Sequence, residues 1–146
     1  MYEGGFCTTV FSYISSKHLY YRQKYLFKIK IFCFCCSTVH QLTDSGEPGS
    51  LYNGVADWLY EEEILGRSSA LYPAPGPAPR LAYISFNDSG VEQHEMARFG
   101  PDSGLKFRYP KAGTANPRAE IFVQTLGKQG NGNAVKVVPP AEVASQ

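Results

Sequence analysis

The chain has 146 residues and a formal net charge of +1, a length that corresponds to a single domain. Fourteen glycines and ten prolines predict short elements joined by many turns, which is typical of an all-β protein. Beyond residue 40 there are nine Lys or Arg residues against twelve Asp or Glu residues. This composition lacks the basic excess of a nucleic-acid-binding protein, so we exclude that class and expect no nucleic acid partner.

The first segment, residues 1–38, is rich in Tyr, Phe, Lys and Cys and has no helical periodicity. We predict that it is irregular apart from a strand in KIKIF (Lys28–Phe32). The uncharged run that begins at Ile31 is too short to span a bilayer and starts too late for a signal peptide. We therefore predict no membrane span in this chain.

All the cysteines of the chain lie in this segment, so they cannot cross-link the remainder: they are Cys7, Cys33, Cys35 and Cys36. The sequence CFCCSTVH, which ends at His40, lacks the paired C-x₂-C spacing of structural zinc sites. We expect no metal site and no cofactor.

From Thr38 onward, turn-forming sequences alternate with short runs that show partial period-2 alternation. Such runs predict antiparallel strands. The predicted strands are RLAYISF (Arg80–Phe86), LKFRY (Leu105–Tyr109), AEIFVQTL (Ala119–Leu126) and AVKVV (Ala134–Val138).

The stretch DWLYEEEIL (Asp57–Leu65) interrupts this series of strands. Asp57 is suited to cap a short helix, and the glutamates that follow favour the first turns of a helix. A helix inserted among strands suggests an element that presents something.

Three adjacent glutamates most often form only a solvated surface. The alternative is a cation site, in which two carboxylates converge on one ammonium group and make charge-assisted hydrogen bonds. Trp58 and Tyr60 would then wall the site and lower its dielectric constant, which strengthens the pairing.

The sequence NGVADWLYEEEIL, from Asn53, resembles the glutamate motif of the dipeptidyl peptidase IV family, in which D-W-x-Y-E-E-E lies on a short helix inserted in a β-propeller. Further motifs agree in order: SSAL at Ser68, RLAYISFND at Arg80, RYPKAGTANP at Arg108, IFV at Ile121 and VVPP at Val137. The resemblance runs from Val39 to Val143. It implies that residues 39–146 are a mainly β, partial propeller of about one to two blades of antiparallel strands. Residues 1–38 would be an unrelated or mispredicted segment.

In that family the second and third glutamates of the motif bind the free α-amino group of the substrate, which implies this role for Glu62 and Glu63. The resemblance also implies a serine exopeptidase that releases N-terminal dipeptides with Pro or Ala in second place. Its α/β-hydrolase domain would follow the propeller. No G-x-S-x-G nucleophile elbow occurs in this chain, so we predict no catalytic residue here and no activity of the chain alone.

A non-catalytic member of the family, acting as a binding or channel-associated protein, is the alternative. The glutamates do not separate the two hypotheses, whereas a downstream G-W-S-Y-G sequence would.

The resemblance has further implications for the protein that contains this chain. We expect a plasma-membrane protein with a type II anchor, or a secreted one, and a homodimer. Asn87 begins an N-x-S sequon, a candidate glycosylation site. A partial propeller leaves strand edges exposed, so we expect self-association of the isolated chain.

Two departures from the family pattern concern the strands. ALYPAPGPAPRLAY, from Ala70, replaces a tryptophan-containing turn, and its prolines predict that the strand there ends or is replaced by an extended loop. The segment between FNDSG and RYPKAG is shorter than in relatives, which puts one hairpin in doubt.

Overall fold

The computed structural model describes residues 11–12, 30–33, 38–75, 80–97, 104–127, 130–131 and 133–144. Cys7, Cys35, Cys36, Pro77 and Pro79 lie outside these residues. The described part is mainly β, with the strands β1 (Phe11–Ser12), β2 (Lys30–Cys33), β3 (Thr38–Gln41), β4 (Leu51–Asn53), β5 (Leu71–Pro73), β6 (Arg80–Asn87), β7 (Gln93–Met96), β8 (Leu105–Arg108), β9 (Arg118–Gly127), β10 (Gly130–Asn131) and β11 (Val135–Lys136). A π-helix spans Tyr60–Leu65, and the short helix α1 spans Ala141–Ala144.

The strands form three sheets, and every strand pair that is described is antiparallel. A three-stranded sheet has the order β1-β2-β3, and β7 pairs with β8 in a two-stranded sheet. The central sheet has the order β10-β9-β6-β4, with β5 added to β6 and β11 added to β9. Within the segment that was expected to be irregular, the structure thus places two short strands, of which β2 overlaps the predicted KIKIF strand.

Strand β6 lies at the centre of the central sheet, with hydrogen-bonded neighbours on both edges. It pairs with β9 along its whole length, from Arg80 opposite Thr125 to Asn87 opposite Arg118. Its other edge is shared by β4 and β5, which pair with its second and first half respectively. Branched and aromatic residues that suit a two-sided strand explain this central position.

Each face of β6 carries its own hydrophobic cluster, because successive side chains of a strand point to opposite faces. On one face Leu81 and Tyr83 are buried together with Leu71, and Tyr83 stacks on Phe122 of β9 at 5.4 Å between ring centroids. On the other face Phe86 is fully buried and contacts a second cluster. That cluster comprises Ala56 and Ala70, with Tyr52, Tyr60, Leu65 and Ile84 packed against it.

Three of the predicted strands are confirmed as β6, β8 and β9, and AVKVV is reduced to the two residues of β11. β5 ends at Pro73, as the proline-rich sequence predicts. The hairpin that was in doubt is present, since β7 and β8 pair over four residues each. No helix in the described part of the chain is long and apolar enough to cross a membrane.

Replacing Phe86 by Ala is expected to lower the free energy of unfolding by about 3–5 kcal/mol, because it leaves a cavity between β6 and the second cluster. Ile121→Ala is the matched control, since Ile121 on the neighbouring strand is 47% exposed and should cost about 1 kcal/mol. Urea denaturation of both variants measures the difference. Equal losses would contradict the placement of the core.

Candidate functional site

The site is built on an excursion of the chain between β4 and β5, which we call the glutamate excursion (residues 54–70). Its base is closed by backbone hydrogen bonds: Ala56 N–H donates to Ser68 O, and Ala70 N–H donates to Gly54 O, both at 2.9 Å. Val55 and Ser69 form a β-bridge between these bonds. Because the two strands that flank the excursion both pair with β6, its start and its end are fixed on one sheet edge.

The excursion carries the helix predicted from the sequence, with the predicted cap. One carboxylate oxygen of Asp57 accepts a hydrogen bond from Leu59 N–H at 3.2 Å, and Asp57 O accepts one from Glu61 N–H at 2.9 Å. Helical turns begin at Trp58 and widen into the π-helix Tyr60–Leu65, a rare form that is often found at functional sites. Gly66 ends the helix with φ of 62°, a left-handed conformation that glycine adopts without strain.

One side of this helix is anchored in the core. Tyr60 and Leu65 pack against the second cluster, and the Tyr60 ring lies 4.7 Å from that of Phe86. Tyr60 therefore faces the core and does not wall a cation site as expected. The opposite side of the helix, with all three glutamates, is exposed.

Glu62 and Glu63, the predicted amine-binding residues, are adjacent on the exposed side of the helix. The ion pairs found in the described part of the chain are Lys111 with Glu92 and Lys136 with Glu120. In that part neither Glu62 nor Glu63 has a cationic partner within ion-pairing distance. Within the described residues, two exposed glutamates that follow each other in the helix thus have no ion-pair partner.

An aromatic wall stands beside the glutamates. The Trp58 ring lies 4.9 Å from that of Phe107 on β8, and it meets the Tyr109 ring edge-on at 6.1 Å. Burial raises the pKa of the Tyr109 hydroxyl, and so do the negative charges of Glu63, Glu62 and, to a smaller extent, Asp57. This phenol thus lies within the electrostatic field of both glutamates. Sequence reasoning assigned Trp58 to the wall and missed the two residues from β8 and its C-terminal end.

Two further carboxyl groups are buried below the helix. Asp57 is 3% exposed and Asp88, just after β6, is 2% exposed. Burial raises the pKa of Asp57, and burial followed by the charge of Asp57 raises the pKa of Asp88 to about 7, against an opposing effect of Arg108. Burial and the charges of Asp88 and Asp57 raise the pKa of Tyr52 to about 12. Sequence reasoning did not single out Asp88, which lies inside the NDS sequon.

Comparison with known proteins decides the family. A sequence model described as "Dipeptidyl peptidase IV (DPP IV) N-terminal region" matches residues 7–146. The chain belongs to this family. Dipeptidyl peptidase 4 of Felis catus is 40% identical over 113 residues, which cover 72% of this chain and 15% of the relative. The chain therefore spans about 15% of the length of that relative.

Two further relatives show how widely the family likeness extends. "Inactive dipeptidyl peptidase 10" of Rattus norvegicus is 39% identical over 103 residues, which cover 68% of this chain and 13% of the relative. The crystal structure of Porphyromonas gingivalis dipeptidyl peptidase 4 superposes with a TM-score of 0.70 at 27% identity, covering 79% of this chain and 16% of that one. The fold is thus part of a dipeptidyl peptidase IV-type propeller domain. The family match begins ahead of residue 39, where the resemblance was expected to start.

Asn87, the candidate glycosylation residue, is exposed at the end of β6. Its side-chain oxygen accepts a hydrogen bond from Ser89 N–H at 2.9 Å, which stabilises the turn that follows the strand. Among the described residues no group of three or more His, Cys, Asp or Glu is arranged to hold a metal ion.

The electrostatic link between Tyr109 and the glutamates of this dipeptidyl peptidase IV-type domain can be measured directly. Glu62→Gln and Glu63→Gln are each expected to lower the pKa of Tyr109, since each removes a negative charge that opposes ionisation of the phenol. Glu61→Gln is the control, because Glu61 does not contribute to the shift. NMR titration of the Tyr109 ring carbons measures the pKa. A larger effect of Glu61→Gln would contradict the geometry of the site.

Proposed function

We propose that Glu62 and Glu63 bind the protonated N-terminus of a peptide, and that this chain is part of the substrate-recognition domain of a dipeptidyl peptidase. The observation that carries the proposal is a pair of exposed carboxylates, without an ion-pair partner among the described residues, on a helix whose other side is held in the core. The family membership of the chain supports the same role.

The chemistry of the pair suits an ammonium group. Two carboxylates accept charge-assisted hydrogen bonds from the same α-amino group, which carries up to three N–H donors when protonated. The Trp58 and Phe107 rings pack on each other at 4.9 Å, and Tyr109 at the end of β8 lies in the field of both glutamates, so an apolar surface is available beside a bound peptide. An N-acetylated or internal peptide segment lacks the charge, so the pair selects free N-termini.

Fixing the amino group also fixes the register of the peptide beyond it. In the proposed parent enzyme, a nucleophile at a set distance from this anchor would cleave after the second residue, and Pro or Ala in second place would be preferred. The catalytic residues would lie outside this chain, which contains no G-x-S-x-G sequence. Localisation of the parent at the plasma membrane or outside the cell, and its dimerisation, belong to the same proposal.

A second function is favoured by a specific observation. A relative named as an inactive dipeptidyl peptidase is about as similar to this chain as a relative without that qualifier. Peptide or protein binding without hydrolysis is thus the alternative function of the parent protein.

Self-association of the isolated chain is the remaining part of the proposal. Val135 on β11 pairs with Val123 on β9, and Ile121 lies on the same face two residues away. Val135 is 65% exposed and Ile121 is 47% exposed. Apolar side chains exposed on the same side of a sheet support association with a second copy.

Binding of the dipeptide Ala-Pro tests the amine-recognition proposal. Saturation-transfer NMR is expected to detect Ala-Pro but not N-acetyl-Ala-Pro on the 146-residue chain. Glu62→Gln and Glu63→Gln should each weaken binding by about tenfold, the loss of one charge-assisted hydrogen bond. Glu61→Gln should bind as the unaltered chain does. Equal binding of the acetylated peptide would refute the proposal.

Hydrolysis of Gly-Pro-p-nitroanilide by the complete gene product separates the two parent functions. Release of p-nitroaniline that Glu62→Gln reduces would support the exopeptidase. Amine-dependent peptide binding without hydrolysis would support the non-catalytic alternative.

A further inference from the structure

His94 on β7 contacts two residues of the aromatic wall, and the proposed amine recognition does not use it. Its Nε2 atom lies 2.8 Å from Tyr109 O, and its ring centroid lies 5.8 Å from that of Phe107. Both of these residues also contact Trp58, at 6.1 Å for the Tyr109 ring and 4.9 Å for the Phe107 ring. One side chain of the hairpin thus contacts both residues against which Trp58 packs.

The register of the hairpin brings these side chains together. His94 pairs with Phe107 across β7 and β8, and successive side chains of a strand point to opposite faces. Tyr109, two residues after Phe107, therefore follows it on the same face, as a diagonal neighbour of His94 within reach of its long side chain. The ring contacts place Trp58 on this face as well.

The polar contact has a defined direction, because Tyr109 O is a backbone carbonyl oxygen and can only accept a hydrogen bond. His94 Nε2 must therefore carry a proton and donate it, which fixes the tautomer of the neutral ring. The distance of 2.8 Å lies within the range of a well-formed N–H···O bond. The bond thus depends on a donor at this one position of the side chain.

Tyr109 lies where the backbone pairing of the hairpin comes to an end. The register pairs of β7 and β8 reach only to Arg108, and Tyr109 N–H donates to Glu92 O at a longer distance of 3.2 Å. The next residue is Pro110, which has no N–H group with which to continue the pairing. The bond from His94 therefore holds the peptide unit at which the chain leaves the hairpin.

Other contacts fix the hairpin at different points. Arg108 donates to Gly49 O at 3.1 Å and to Val91 O at 2.6 Å, from the face opposite to the aromatic wall. Lys111 and Glu92 form an exposed ion pair, a kind of contact that contributes little to stability. Neither of these contacts involves a ring of the aromatic wall, so the position of the wall depends on contacts such as those of His94.

Trp58 connects the wall to the glutamates, because it lies on the same side of the helix as they do. Helical turns begin at Trp58 and continue in the π-helix from Tyr60. Residues four apart are neighbours on a helix, and the hydrogen bonds of a π-helix join residues five apart, so Glu62 and Glu63 follow Trp58 on one side. Tyr60 and Leu65, also five apart, pack on the core. The contact of Trp58 with the wall is thus a second, separate contact that resists tilting of the helix.

We propose that His94 is a positioning residue of the amine site, because its bond to Tyr109 O holds the aromatic wall in place against Trp58. Trp58 in turn fixes the direction of Glu62 and Glu63, so the inference rests on the proposed amine recognition. Without the bond, the Tyr109 peptide unit is free to turn and the wall loses its fit to the Trp58 ring. The helix is then held by its core contacts alone, and the glutamates meet an ammonium group with poorer geometry.

The first test observes the bond in the unaltered 146-residue chain, without ligand. At about pH 8, where an unperturbed imidazole is neutral, NMR of the ring nitrogens of His94 is expected to show the proton on Nε2. A proton on Nδ1 would overturn the proposal, since Nε2 would then have nothing to donate to Tyr109 O.

Fluorescence tests whether the bond positions the wall, because Trp58 is the only tryptophan of the chain and its emission reports this contact alone. His94→Leu removes the donor, and the emission of Trp58 is expected to shift to longer wavelength as its ring becomes more exposed. His94→Gln places an amide N–H at the position of Nε2 and should retain the emission of the unaltered chain. A shift in both variants, or in neither, would contradict a positioning role of the bond.

Gln93→Leu is the matched control, because Gln93 is the preceding residue of β7 and its exposed side chain leaves the opposite face of the hairpin. It introduces the same leucine into the same strand without touching the wall. The emission of Trp58 should remain unchanged. A shift equal to that of His94→Leu would show that any leucine in β7 disturbs the hairpin, and the proposal would fail.

The affinity for Ala-Pro provides the functional readout. His94→Leu is expected to bind Ala-Pro about fivefold more weakly, which corresponds to the loss of one hydrogen bond between neutral groups. His94→Gln and Gln93→Leu should bind within about twofold of the unaltered chain. Urea unfolding of each variant confirms that binding is measured on folded protein. An unchanged affinity of folded His94→Leu would overturn the proposal. If His94→Leu is unfolded, His94→Asn replaces it, since its shorter side chain does not reach Tyr109 O.

These outcomes are distinct from a failure of amine recognition. If the unaltered chain binds Ala-Pro and N-acetyl-Ala-Pro equally, the proposed function fails. The tautomer of His94 and the emission of Trp58 still decide whether His94 holds the wall, since neither measurement needs a ligand. If the unaltered chain selects the free amine while His94→Leu leaves the emission unchanged, the proposed function stands and the role of His94 alone is overturned.

Discussion

The two-sided pairing of β6 is the constraint on which the candidate site depends. Its hydrogen bonds to β9 occupy one edge completely, so β4 and β5 must share the other edge. The chain between them can only leave that edge and return to it. The glutamate excursion is therefore a closed loop, and the backbone hydrogen bonds at its base hold its two ends together. A helix on such a loop presents side chains in a reproducible direction, which a free surface helix of this length would not.

A second constraint on the position of the helix comes from the hairpin of β7 and β8. The Trp58 ring contacts Phe107 in the hairpin of β7 and β8. Arg108 ties that hairpin to the turn before β4, through Gly49 O, and to the loop after β6, through Val91 O. The helix is thus held by Phe86 from below and by Phe107 from the side. Apolar contacts fix its place, and this leaves its carboxylates free for a ligand. Ion pairs to neighbouring residues could also have fixed the helix, but they would have engaged the charges on which the proposed amine recognition depends.

The strands that were predicted from the sequence are mostly those with a clear local pattern. RLAYISF and AEIFVQTL alternate clearly and are long, so their local pattern was sufficient. β4 and β7, of three and four residues, were not predicted. Their strand state comes from pairing with a distant strand, which no local pattern contains. The helix and its Asp57 cap were local features and were confirmed.

The candidate site was likewise predicted only where its residues form a contiguous motif. The glutamates were recognised from a contiguous motif, whereas the aromatic wall required residues separated by about fifty positions to meet. Tyr60 was assigned to the wall because it neighbours the glutamates, but the turn of the helix directs it to Phe86. Asp88 is the clearest case, since its local sequence reads as an exposed turn, whereas in the structure it is 2% exposed. Burial of a charged residue is a tertiary property.

The chain is similar to a dipeptidyl peptidase 4 and, to about the same degree, to a relative named as an inactive dipeptidyl peptidase, and these constraints offer a reason. The pairing of β6, the closure of the excursion and the packing of Trp58 are all needed for this part of the propeller to form. None of them depends on a catalytic serine. Substitutions that break these contacts would damage the fold whether or not the parent protein hydrolyses peptides. Similarity over these residues therefore identifies the family's N-terminal region and does not separate a hydrolytic parent protein from a non-catalytic one.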